Sequence, residues 1–202
     1  EKNMEKNRLE AFSDGVLAII ITIMVLEMKV PHEPTFPALL SVLPVFLSYV
    51  LSFIYIGIYW NNHHHMLHLA DKVNGAILWS NLHLLFWLSL LPFTTGWMGE
   101  NHFAPVTLFL YGVNLLCCAI AYVILQSRII KQQGPGSMLA HAVSRDTKGK
   151  ISPVLYLLGI GTSFVSPWLS GAFYVIVALL WLIPDRRVER EIAQHISQKP
   201  PQ

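Results

Sequence analysis

Arg8, Glu10, Ser13 and Asp14 crowd the head of a long apolar run. Ionisable groups in such a setting are costly in lipid and are therefore paired or functional. Two readings stand. Ser13 or Asp14 caps the first turn of a helix by satisfying free backbone N–H groups. Alternatively, the cluster ties that helix to a neighbour. Arg8 and Asp14 do not face each other on one helix, so a partner on another helix is the better expectation for Asp14. A second polar cluster follows at His63, His64, His65 and His68. His64 and His68 are one turn apart, a spacing that suits a metal ion. Asp71 is the sole carboxylate near them, and interfacial histidines also act as plain polar anchors, so no metal is assigned. Imidazole titrates near neutrality, which leaves a pH response open. His83 lies deeper in an apolar run and is expected to hydrogen-bond within the bundle.

The first apolar run carries a further pattern. At about 100° per residue, Phe12, Ile19, Ile23 and Leu26 fall on one stripe, with Thr22 at its edge and Asp14 pointing away. On one helix of an apolar bundle, an Ile/Leu stripe of this kind is most often packing, and the lining of a pore is its less common use. Glu27 follows near the far end, either as a solvated helix terminus or as a charge that gathers cations.

The elements that must position these residues are membrane helices. Of the 202 residues 53% are apolar and 13% are charged, well below the ~25% charge of a soluble domain. A span needs about 20 apolar residues. Candidate spans are residues 9–29, 38–61, 74–97 and 104–131, each bounded by polar or proline-rich punctuation. The last apolar region is too long for one helix. Its Ser166-Pro167-Trp168-Leu169-Ser170-Gly171 centre reads as a turn, giving two short spans over 151–166 and 170–184. Pro92 is expected to kink the third span. The tryptophans lie mostly near span ends, as interfacial aromatics do. Adjacent Cys117 and Cys118 read as buried, unreactive thiols. The polar start, and a first run ending in Glu27-Met28-Lys29, predict a retained helix instead of a cleaved leader.

Charge placement sets the expected topology. Basic residues flank the last region on both sides, which requires an even number of crossings. With six spans, every lysine and arginine except Lys29 falls on one side, and positive residues favour the cytoplasm. The expectation is an all-α polytopic membrane protein with six transmembrane helices and both termini cytoplasmic. Residues 1–190 form one membrane domain and 191–202 a polar cytoplasmic tail. The net charge of +2 gives no reason to invoke nucleic acid. No TVGYG-like filter is present, so a carbonyl-filter potassium channel is excluded; with no phosphate loop, metalloprotease motif or nucleophile elbow, and no nucleophile beside a base, an enzyme is not expected.

Arg8-Leu9-Glu10-Ala11-Phe12-Ser13-Asp14-Gly15, followed by Ala18-Ile19, Thr22 and Leu26-Glu27, resembles the first-helix signature of the transmembrane protein 175 family of potassium channels. Trp60 with His63, then Asn81 and Leu91-Pro92-Phe93-Thr94, resemble further parts of that pattern. The resemblance is close in the N-terminal half and extends to hydropathy and length in the second. It implies a six-helix unit assembling as a homotetramer in a bacterial plasma membrane, with the first helix lining a central pore for potassium ions. Carried over, Ile19, Ile23 and Leu26 would form an apolar constriction and Thr22 would assist selectivity. Arg8, Ser13 and Asp14 would hold the base of the helix through bonds to His63 and its neighbours. No cofactor is implied. Two other readings compete: a small secondary transporter or proton-coupled exchanger using Asp14, His63 and His83 as a relay, and a non-transporting membrane scaffold.

Overall fold

The computed structural model describes residues 2–70, 72–144 and 146–182. The expected polar tail over 191–202 and the end of the last span lie outside these residues. Every regular element among them is a helix.

Helix α1 runs Lys2–Leu26, so it begins well before the apolar run. Its polar start is mostly Lys, Glu, Arg, Met and Leu, good helix formers, with no proline or glycine to stop the helix. Ser13 and Asp14 are therefore mid-helix, and the capping reading is corrected. Ser13 instead donates its hydroxyl to the Leu9 carbonyl one turn back, at 2.8 Å.

The expected second span divides. Short α2, Phe36–Ser41, is capped by Thr35, whose Oγ1 accepts from the Ala38 N–H. It stops at Val42, and α3, Leu43–His68, follows. Pro44, in the first turn of α3, has no N–H to continue the ladder. The third span divides likewise at Leu90, between α4, Gly75–Ser89, and α5, Leu91–Glu100. Pro92 is the cause, as expected from its missing donor. Taken together α4 and α5 remain long enough to cross a membrane.

Helix α6, Pro105–Gln133, is the centre of the molecule. It packs against α4, α5, α8 and α9. Leu108, Tyr111, Leu115, Cys118, Ala121, Leu125 and Ile129, spaced three or four apart, are all buried along it. It ends at Gly134, whose φ of +93° belongs to the region that glycine enters without strain. A short α7, Met138–Ser144, leads to the hairpin of α8, Thr147–Thr162, and α9, Pro167–Leu182. Asp146 caps α8, its Oδ1 accepting the Gly149 N–H at 3.0 Å.

Among the described residues four apolar stretches are long enough to span a bilayer: Lys6–Leu26, Leu43–His68, Gly75–Glu100 and Pro105–Gln133. The α8–α9 pair is shorter. Polar contacts show which ends lie together. Lys6 Nζ donates to the His68 carbonyl at 2.9 Å, and Gln133 Nε2 to the Leu69 carbonyl at 2.6 Å. At the opposite end Lys29 pairs with Glu100 at 2.9 Å. That hydrogen bond raises the Lys29 ammonium above its ordinary range.

Candidate pore helix and its polar anchor

Helix α1 has two unlike faces. Leu9, Ser13, Leu17, Ile20 and Met24 are buried against the rest of the chain, which α1 meets through α3, α4 and α5. Away from them Ile19, Ile23 and Leu26 are 60%, 41% and 75% exposed. Phe12 and Thr22 are exposed on the same side. The Thr22 hydroxyl donates to the Ala18 carbonyl at 2.9 Å, so its proton is spent on the helix and its oxygen lone pairs remain as acceptors.

The buried face is fixed near its start by a three-residue chain across three helices. His63 on α3 bonds through Nε2 to Asn81 Oδ1 on α4 at 2.6 Å. Asn81 Nδ2 in turn donates to Ser13 Oγ on α1 at 2.9 Å. Because the amide nitrogen is committed to Ser13, the amide oxygen faces His63, and His63 Nε2 is the donor. All three side chains are buried. A closed polar chain of this kind specifies how helices register.

Asp14 lies apart from this chain. It is exposed, and its Oδ1 accepts the Trp60 indole N–H at 3.0 Å. The Trp60 ring stacks on His64 at 6.2 Å, and His64 on His68 at 6.3 Å. No group of three or more metal-ligating side chains occurs among the described residues. Arg8 is exposed, and among the described residues no hydrogen bond or ion pair joins it to Ser13, Asp14 or His63. Thus Ser13 and His63 come together, Asp14 takes a separate partner, and Arg8 takes none of these.

His83 departs from the expectation of a bond inside the bundle. It is exposed and accepts the Trp87 indole N–H of its own helix at 3.0 Å. The reason is its helical phase: buried Ser80, Asn81, Leu84, Leu85 and Leu88 occupy the inner face of α4. No hydrogen bond links His83 to Asp14 or His63 among the described residues, so the proposed relay has no continuous path through them.

Two residues in this arrangement had no assigned task from sequence reasoning. Asn81 is the bridge, and Trp60 is the partner of Asp14. The signals were an amide side chain within an apolar span and a carboxylate needing a donor from another helix.

Relatives agree with this architecture. The family profile described as endosomal/lysosomal potassium channel TMEM175 matches residues 8–92. A protein of Chryseobacterium sp. (strain P1-3), named a potassium channel, is 55% identical over 95% of this chain and 100% of its own length. The chain belongs to the TMEM175 family. A second relative of the same printed kind, from Chamaesiphon minutus, is 33% identical over 89% of the chain and 94% of its own. A crystal structure described as a lysosomal potassium-selective channel TMEM175 homolog from Chamaesiphon minutus superposes on this TMEM175-family chain with a TM-score of 0.76. It shares 31% identity and covers 89% of this chain and 97% of its own. With its several apolar helices, this TMEM175-family chain is a multi-pass membrane protein, and its family is one of ion channels, not enzymes.

Proposed function

We propose that this chain is one subunit of a homotetrameric potassium channel of the bacterial plasma membrane, with α1 lining its pore. Residues 1–190 form the membrane unit in this reading, crossing six times with both ends cytoplasmic. The observation that carries it is the uncovered side of α1. More than half of the helix circumference, including Asp14, Thr22 and the Ile19–Ile23–Leu26 stripe, is left exposed by its own subunit. An exposed carboxylate on a spanning helix is poorly suited to lipid. Neighbouring copies accommodate it on its side of the helix while the stripe, on the other side, faces an aqueous axis, and the relatives named as potassium channels support that use.

The mechanism follows from the stripe. Four copies of Ile19, Ile23 and Leu26 around an axis make a narrow apolar ring that blocks ions by dewetting and passes them when it widens. Thr22 beside the ring offers hydroxyl oxygens to a cation that has lost part of its water shell. The Ser13–Asn81–His63 chain holds the base of α1 from behind, with Asp14 and Trp60 alongside.

Planar-bilayer recording of the purified protein tests the proposal. Single-channel steps are expected, with a reversal potential that follows the potassium gradient. Ile19→Asn is expected to raise conductance severalfold by wetting the ring. Slow, saturable, proton-coupled flux would favour an exchanger instead. Unaltered current in Ile19→Asn would reassign the stripe to packing.

A further inference from the structure

We infer that the cleft between α3, α6, α8 and α9 binds a small organic ammonium ion with an apolar body. No described residue of α1 lines the cleft, which holds a half-open cavity of about 60 Å³, room for a handful of waters. Its walls include Tyr59, Tyr122, Tyr156 and Trp181, and Asp146 stands at its rim. None of the described lining residues is basic.

The chemistry of the walls selects the ligand. Aromatic faces attract cations through the ring quadrupole, most strongly where water is excluded. Tyr59 and Tyr122 meet edge to face at 6.1 Å, which presents two ring orientations to one volume. The neighbouring polar tips are partly committed. Tyr122 donates its hydroxyl to the Asn62 carbonyl at 3.4 Å, and the Trp181 indole donates to Ser152 Oγ at 2.9 Å. These bonds fix the orientation of two of the rings that wall the cavity. Asp146 uses Oδ1 for the Gly149 N–H, so its charge is held in place by the helix it caps. One carboxylate over an aromatic, mostly apolar cavity suits a single positive charge on a hydrocarbon body.

Ligand-observed fluorine NMR on the purified chain in detergent tests this, with 3-fluoropropylammonium as probe, 3-fluoropropan-1-ol as its neutral counterpart and empty micelles as blank. Saturable binding of the ammonium is expected, at least tenfold tighter than the alcohol. Asp146→Asn keeps a capping oxygen for Gly149 and is expected to erase that tenfold preference. Tyr59→Leu, with helix content checked by circular dichroism, is expected to weaken ammonium binding by a similar factor. Equal binding of both probes, an unchanged preference in Asp146→Asn, or no saturable signal above the micelle blank each overturns the assignment. Because no current is read, these outcomes are independent of the pore proposal.

Discussion

At the residue scale, the two polar ties of α1 differ in burial and should differ in consequence. Ser13, Asn81 and His63 are all buried, so removing one leaves another unsatisfied. Ser13→Ala strands one N–H of Asn81 and is expected to cost about 1–3 kcal/mol, seen as a lower midpoint in detergent thermal unfolding. Trp60→Phe removes the donor of the exposed Asp14 bond, where water replaces it. Its expected cost is smaller than that of Ser13→Ala in the same assay. If the order reverses, the buried chain is not what secures the base of α1. The sequence made half of this arrangement legible. Asp14 needed a partner on another helix because its own helix offered none at a suitable spacing. That the partner is an indole, and that an amide stands between Ser13 and His63, depends on how α3 and α4 meet α1, which no local pattern encodes. The capping expectation failed for a related reason: hydropathy marks where lipid begins, whereas a helix stops only where the backbone is given a reason to stop.

At the element scale, hydrophobic length identified the long helices, and the prolines explain where two of them divide. The finer joints rest on small residues instead. Tyr174 of α9 seats its ring against Gly112 of α6 and Gly159 of α8, where an added Cβ would overlap it. Its hydroxyl donates to the Leu108 carbonyl at 3.1 Å, and its own carbonyl accepts from Tyr55 at 2.6 Å. One residue thus fastens the final hairpin to α3 and α6. Such a notch is invisible in sequence, because a glycine within an apolar helix looks the same whether or not a ring occupies its space. Gly112→Ala is expected to destabilise by about 1–3 kcal/mol through overpacking. Tyr174→Phe removes the hydroxyl that the new methyl would strike, at the cost of the bond to Leu108. The double variant should therefore be more stable than the sum of the single changes indicates. Strict additivity in thermal unfolding would mean that Gly112 and Tyr174 do not share a tight contact.

At the scale of the whole molecule, the Lys29–Glu100 ion pair and the long-range hydrogen bonds sort the basic residues by end. Lys6 and Gln133 reach the carbonyls at the close of α3, so Lys72, Arg128 and Lys131 lie at that end too. Lys29 and Glu100 meet at the other. Charge counting could assign these ends from sequence because each span reverses direction and the loops are short. The counting rule then places the Lys6 end in the cytoplasm. Cysteine labelling decides this. In a background with Cys117 and Cys118 replaced by alanine, Glu33→Cys is expected to react with a membrane-impermeant maleimide on intact cells. Lys131→Cys, exposed at the opposite end, should react only after lysis. Labelling of Lys131→Cys on intact cells would invert the topology, and with it the side from which the cleft beside Asp146 is reached. Labelling at both positions would mean that the chain inserts in two orientations, which a bias this one-sided argues against.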